Sequence, residues 1–484
     1  PNPKPQTPNP KPQTPIIVLK LFLEKKFYPL IYKMSDKTNL INLISNLLST
    51  NDSLRKEAEA TLMNTGVNNL EALLVVILDI VDDINVAINI RTTAIVYLNK
   101  LVSKNKNDQG VSYYNLLSLE IRNSFQIRIL ILLSKIQDNS INNSISDLIA
   151  DLSVSLITDK KLPKESKWPT LMDHLFELFN TGVENTILSV LRILETIFGS
   201  AANDYIIYKE KIISLLSSCF SQTKTNIKLE ALKVFTSLIC CLKSKLTKHF
   251  KQFVPIILEF IMALVLNNND EDELTEAVTQ IYNICETEAS FFKPYFNDLI
   301  ILMSKIQKSA SDFENENLQA DSIECLLFVL ERFPKLAKEN KNLENVLTLI
   351  FLNMLNVSEE VTNDWCSPPE GFNDDLEEDD DQHGLKIGMD FIDRLISSLG
   401  TDVILQPLSV AIQNLLSDNN DWRKQHAAIM ALSQIGEYMG EKMDEVATIV
   451  TSIVNFSVSP NPRIRYACLH CIGQYADDLQ PDFQ

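Results

Sequence analysis

The feature that most constrains this chain is a helix that keeps coming back. From Ser35 onward apolar residues return at i, i+3, i+4 and i+7, the period of a helix buried along one face, and alternating strand-like stretches are nearly absent. One helix type has a small residue near its start and a long apolar face behind it. It reads ALKVFTSLICCLK from Ala231, AVTQIYNICETE from Ala277 and ADSIECLLFVLERFP from Ala320, then HAAIMALSQIGEYM with Ala427 and YACLHCIGQYADDL with Ala467. The small residues are spaced by 46, 43 and, for the last pair, 40 positions. The gap of 107 from Ala320 to Ala427 equals two such steps plus an insertion of about 20 residues. Small residues at fixed spacing let neighbouring helices approach closely, so their apolar faces can stack into one continuous core.

A period of ~40–47 residues made of paired helices is that of HEAT and armadillo repeats. The expected fold is all-α, an armadillo-like α-solenoid (superhelix) of about ten HEAT repeats over residues 35–484. Residues 1–33 stand apart as an N-terminal extension. It opens with a tandem PNPKPQT that should be extended and disordered, and Ile16 to Tyr32 is apolar but carries Lys20, Glu24, Lys25 and Lys26, too many charges for a membrane span. Met34 is a candidate true start, and the absence of a polar capping repeat before Gln484 reads as a truncation. Trp168-Pro169 should open a helix.

Composition narrows the function. A net charge of −19 with no basic stripe disfavours direct nucleic-acid binding and insertion into anionic membranes, and favours basic partners. Only 11 glycines occur in 484 residues, fewer than phosphate loops and β-turns demand at this size. GxGxxG, GxxxxGK[ST] and HExxH are absent, and the five histidines are far apart. The chain is therefore expected not to be an enzyme and to need no cofactor, with no catalytic residues and no metal site. Cys240, Cys241, Cys285 and Cys325 sit in apolar helical runs as reduced core thiols, and Cys468-Leu469-His470-Cys471 lacks the second ligand pair that zinc would require.

Two acidic features remain. The insertion, at about 358–388, holds Trp365, Pro368, Pro369 and the run Asp374, Asp375, Glu377, Glu378, Asp379, Asp380 and Asp381. Such a run cannot bury itself; it is either a solvated solubility loop or an electrostatic arm for a basic partner, and it lacks EF-hand spacing. The second feature is a ladder. Glu437 and Asp477 occupy equivalent places 40 residues apart, Asp478 adjoins the latter, and Asp390 and Asp393 share a helix face in the preceding repeat. Stacking turns equal positions into a row, suited to Lys and Arg of an extended peptide; the competing reading is an ordinary solvated face. Trp422, at a helix start, could serve either packing or partner contact.

At this point a resemblance emerges. Asp421 to Met439 (DWRKQHAAIMALSQIGEYM) and Asn461 to Gln484, together with Asp393-Arg394-Leu395 and Leu399-Gly400, resemble the importin-beta (karyopherin-beta) superfamily of nuclear transport receptors, in the branch of karyopherin beta-3 or importin five. Leu54 to Leu62 and Ile90 to Val102 are similar to the first two repeats of such receptors. The resemblance is strong after about Asp364 and diffuse before it, and covers only the N-terminal half of a receptor of this branch. The Pro-rich start is foreign to the family, and Ala428-Ile429 replaces its usual Gly-Leu.

The resemblance implies a monomeric carrier shuttling between cytoplasm and nucleus. Its partners would be basic cargo proteins (ribosomal proteins and histones), the GTP form of Ran, and Phe-Gly nucleoporins. It places cargo-signal binding at Asp393, Glu437 and Asp478 on the concave face, with Asp477 of the ladder and Trp422 as further candidates, and a Ran or cargo contact on the acidic loop. A static HEAT scaffold, or a chaperone for basic proteins without transport, are the competing readings.

Overall fold

The computed structural model describes residues 34–106, 112–160, 162, 167–267, 270–339, 341–357, 383–418, 421–440 and 443–480. The N-terminal extension and the whole acidic run 374–381 lie outside these residues. Among the described residues the chain is helical, with a single isolated β-bridge between Lys106 and Ser112. It divides between Leu215 and Leu216 into two compact units.

The first unit holds α1 (Met34–Leu47), α2 (Asp52–Asn68), α3 (Leu70–Asp82), α4 (Ile88–Asn99), α5 (Leu119–Lys135), α6 (Asn139–Thr158), α7 (Leu171–Phe179) and α8 (Glu184–Tyr205). The helices start where the sequence offers side-chain acceptors to their free N–H groups. Asn51 caps α2, Ser118 caps α5 and Asp138 caps α6. Trp168 takes a left-handed φ of 54° just before α7. The even-numbered helices α4, α6 and α8 pack side by side, and α3 packs on α5. Polar ties cross both seams: Asn99 Nδ2 donates to Asp151 (2.9 Å), and Arg192 grips both oxygens of Asp147 (2.7 and 3.2 Å). Ile77, Ile95, Leu98, Ile149, Val190 and Leu194 are buried along the shared core.

The second unit continues the pattern. α9 (Lys209–Phe220) straddles the division and is followed by α10 (Thr225–Cys241). The pairs α11 (Val254–Asn267) with α12 (Glu271–Glu288), α13 (Phe296–Asp312) with α14 (Glu316–Arg332), and α15 (Asn342–Met354) with α16 (His383–Leu399) come next. The last pairs are α17 (Thr401–Leu416) with α18 (Trp422–Ser433), and α19 (Met443–Val454) with α20 (Pro462–Asp478). Leaving aside the one-turn helix Ser244–Thr247, α1–α20 give ten consecutive helix pairs among the described residues. Here too the even-numbered helices form a row, each against the next from α10 to α20.

The residues that marked the repeat in the sequence do what small residues are for. Ala231, Ala277, Ala320, Ala427 and Ala467 are all buried in this row. The repeat missing from that series is α16, where Gly388 takes the place of alanine. A Cβ there would lie 2.2 Å from Met354 Cγ on α15, so α16 seats against its partner only without a side chain. The expected insertion also ran too far. Residues 383–388 are already the first turns of α16, with Gly384, Leu385 and Gly388 buried, and the rest of the expected insertion, 358–382, lies outside the described residues.

The Asp/Asn-x-Arg signature before the last two inner helices is a cap. Asp421 accepts the backbone N–H of Arg423 (3.1 Å) and Asn461 that of Arg463 (2.9 Å). Arg463 itself is fully buried. Aromatic residues weld the start of the unit: Phe235 of α10 stands edge-on to Phe253 (5.8 Å) and Phe291 (6.1 Å), and Phe253 meets Phe220 (5.9 Å). The stretch Ser244–Asn267 is long and apolar enough to cross a membrane, yet Phe250, Phe253, Val254, Ile257 and Ile261 are buried within the fold. Cys285, Cys325, Cys468 and Cys471 are buried too, and Cys468 Sγ donates to the Ile453 carbonyl (3.2 Å).

His426 gives this unit a pH signature. It is 1% exposed, its Nδ1 has no hydrogen-bond partner, and burial, followed by the nearby charge of Arg463, holds its pKa at about 4. In the unfolded chain it protonates near ~6.5. Between those values only the unfolded state takes up the proton, so the contribution is intact above ~6.5 and is lost progressively as pH falls towards 4. From pH 7 to 5 the loss should be about 2 kcal/mol. Urea unfolding of His426→Leu at the two pH values should show a stability drop smaller than wild type's by that amount; identical drops would refute the assignment.

Candidate functional site

Three inner helices of the second unit, α14, α16 and α20, and the turn that follows α18 carry acidic side chains that come together. On α14, Asp321, Glu324, Phe328 and Glu331 fall at intervals of three, four and three residues and so form one stripe. On α16, Asp390, Phe391, Asp393 and Arg394 face that stripe across a cavity of about 470 Å³, whose far wall is Tyr282 of α12. Arg394 is held within it. Its Nη1 donates to Glu324 (2.6 Å), its Nε and Nη2 reach Glu331 (both 2.9 Å), and its guanidinium carbon lies 5.8 Å from the Phe328 ring and 6.0 Å from Phe391. Burial opposes its charge, but the bonds to Glu324 and Glu331 and their charges outweigh that and hold its pKa above the ordinary value.

The cavity keeps an excess of negative charge. Burial, then the charge of Glu324, raises the Asp321 carboxyl pKa, and burial followed by Glu324 does the same for the Tyr282 phenol. Asp321 and Asp390 make no ion pair among the described residues, and Glu324 Oε2 is buried without a hydrogen-bond partner.

From the cavity the row runs on across two further repeats. Asp393 accepts a hydrogen bond from the Tyr438 hydroxyl (2.7 Å), and burial, then this carboxylate, raises the phenol's pKa. Tyr438 belongs to the 3-10 turn Gly436–Tyr438, which leaves α18 after Ser433. Glu437, in the middle of that turn, is exposed. On the other side of the turn, Asp478 Oδ2 would lie 2.8 Å from a Cβ at Gly436, and Asp478 accepts from Gln474 Nε2 (2.9 Å). Asp393, Glu437 and Asp478 thus stand on neighbouring repeats around one turn.

Three sequence expectations place differently. Glu437 is not on an inner helix but on the turn after one, and it is Asp478 rather than Asp477 that abuts this turn; Asp477 is exposed beside Gln480. Trp422 is half-buried at the first residue of α18, its ring 4.9 Å from the Arg423 guanidinium carbon and 6.2 Å from His426. The carboxylate turn follows the opposite end of that helix, roughly 20 Å away at ~1.5 Å per residue, so Trp422 is not part of the row. The acidic-loop residues Asp374, Asp375, Glu377, Glu378, Asp379, Asp380 and Asp381 fall outside the described residues. Sequence reasoning missed Tyr282, Asp321, Glu324 and Tyr438, and took Arg394 as a family signature alone.

Chemically, the arrangement can hold cationic side chains. Carboxylates of mixed exposure stand on successive repeats, one of them fixed by a neutral phenol, beside aromatic faces. Among the described residues no group of three or more His, Cys, Asp or Glu side chains is placed to hold a metal ion.

Comparison with known proteins agrees with this architecture. A family model described as "IPO5-like, TPR repeats" matches residues 137–302, and one described as "Importin repeat" matches 310–406, the stretch that carries α14 and α16. Importin subunit beta-3 of Saccharomyces cerevisiae is 25% identical over 350 residues, covering 72% of this chain and 30% of the relative. The probable importin-5 homolog of Dictyostelium discoideum is 23% identical over 304 residues, covering 62% and 26%. The aligned region is thus less than a third of the length of these curated relatives. The crystal structure of Kap121p superposes with a TM-score of 0.77 at 22% identity over 93% of this chain and 42% of that one. Kap121p bound to RanGTP gives 0.75 at 21% identity, over 93% and 41%. The fold is the HEAT-repeat α-solenoid, and the chain belongs to the importin-beta (karyopherin-beta) superfamily.

Proposed function

We propose that this chain works as a nuclear transport receptor, taking the basic import signal of a cargo protein along the row Asp393, Glu437 and Asp478. The observation that carries the reading is the Tyr438–Asp393 bond together with the Gly436–Asp478 contact, which brings carboxylates of three successive repeats around one turn. Such spacing suits lysines of an extended peptide, each meeting a carboxylate that its own repeat supplies. Solved structures of Kap121p with RanGTP and with Nup53p support the GTP form of Ran and nucleoporins as partners of this chain as well. Complexes of the same protein with Ulp1p, Cdc14p and Ste12p support protein cargo. The chain then moves between cytoplasm and nucleus, and its acidic loop contacts Ran or cargo.

Two measurements test this. In a pull-down with Ran loaded with GTP or GDP, the chain should retain the GTP form selectively; equal retention, or none, goes against a transport receptor and leaves a static scaffold. For the site itself, Asp393→Lys with Glu437→Lys should weaken calorimetric binding of a lysine-rich peptide at least tenfold, about 1.4 kcal/mol. An unchanged Kd would move the site elsewhere.

A further inference from the structure

Arg394 stands where an incoming cation would stand, and it comes from the protein itself. We propose that Arg394 is a resident cation that fills the first acidic seat of the groove and so fixes the register in which a basic peptide lies. The inference rests on the reading of this groove as a basic-peptide site, and it names the residue that sets its limit.

Three observations carry it. The first is the quality of the seat. Glu324 and Glu331 hold the guanidinium from one helix face at 2.6 and 2.9 Å, with Phe328 and Phe391 against it. Carboxylate fork and aromatic wall together are what a groove offers to a ligand arginine. The second is position. Asp321 and Glu324 line the cavity on one side, and Asp390 and Asp393 on the other, where Asp393 opens the row to Glu437 and Asp478. Arg394 is the next residue after Asp393, so seat and row are adjacent. The third is the charge balance. Arg394 occupies Glu324 and Glu331, whereas Asp321 and Asp390 make no ion pair among the described residues. Glu324 is paired from within, whereas Asp321 beside it and Asp390 across the cavity are not.

A peptide cation could take the filled seat only by making the same bonds and also stripping Arg394 of its partners, which leaves a half-buried charge uncompensated. Its cations are therefore accepted from Asp390 and Asp393 onward. An additional basic residue aimed at the Glu324–Glu331 seat gains nothing while Arg394 is present. Removing the guanidinium releases two carboxylates and lengthens the row by one seat.

The alternative is that Arg394 merely braces α14 against α16. The two differ in how affinity responds to peptide length. Calorimetry would use the full chain with a short lysine peptide and with versions extended by one arginine at either end. For wild type, either extension should change Kd by less than about twofold. For Arg394→Gln, one of the extended peptides should bind about tenfold more tightly than the short one, whatever happens to absolute affinity. A ratio equal to wild type's, even with a lowered melting temperature, makes Arg394 a brace and overturns the proposal. Should Arg394→Gln fail to fold, Arg394→Lys decides: an ammonium cannot fork between Glu324 and Glu331, so its extension ratio should rise about threefold, and a wild-type ratio overturns the proposal equally. If folded wild type binds none of the peptides, it is the basic-peptide reading that fails, an outcome separate from an unchanged ratio.

Discussion

Phe235→Ala should cost the second unit about 3–5 kcal/mol, and the damage should stay local. Phe235 is 1% exposed and touches both Phe253 and Phe291, which belong to the next repeat, while Phe253 hands on to Phe220. Removing the ring opens a cavity at the junction of two repeats and leaves Phe253 and Phe291 without their edge-on partner. Stability in a stacked array is close to a sum of repeat and nearest-neighbour contributions. The loss therefore falls on α10 and α12 and not on α18 and α20. Native-state hydrogen exchange should show amides of α10 and α12 exchanging ~100-fold faster or more, with those of α18 and α20 unchanged. A uniform rise along the unit, or no rise, would be incompatible with this packing.

The second large effect is expected at Gly436. An added Cβ would lie 2.3 and 2.7 Å from the Tyr475 ring and 2.8 Å from Asp478 Oδ2. Tyr475 is fully buried, and its hydroxyl donates to the Leu432 carbonyl (2.9 Å), so the ring has nowhere to swing. Gly436→Ala should destabilise the protein by about 3 kcal/mol, from overpacking plus the strained or broken hydrogen bond. Tyr475→Leu in the same chain should recover part of that, giving a coupling of about 1 kcal/mol or more in a double-mutant cycle by urea unfolding. If Gly436→Ala unfolds at the wild-type midpoint, the turn and α20 are not in contact as described.

What was legible in the sequence was the repeat, because it is written in small residues at regular intervals. Ala231, Ala277, Ala320, Ala427 and Ala467 mark the inner helices and all are buried. The same logic hid α16, where the small residue is Gly388 and the insertion had displaced the count. Spacing picked out Glu437 and Asp477, 40 residues apart, and the family resemblance singled out Asp393, Glu437 and Asp478. The cavity beside them could not be found either way. Asp321, Glu324 and Tyr282 each look like the polar face of an ordinary amphipathic helix, and only the lateral packing of α12, α14 and α16 turns them towards one another. Arg394 was misleading for a related reason. Its neighbours on the chain say nothing of Glu324 and Glu331, which lie 70 and 63 residues away. Tyr438 was missed because a turn's direction depends on where the helix before it stops, and α18 stops at Ser433.

The bond from Tyr438 to Asp393 joins a side chain of one repeat to a side chain of the repeat before it. It works as a stitch: bending the array at that joint must stretch the bond and pull apart the carboxylates on either side. In the proposed reading of this row, grip on a basic peptide and flexure of the array are geared together. A peptide laid across the joint would splint it, and a bend imposed there would loosen the peptide.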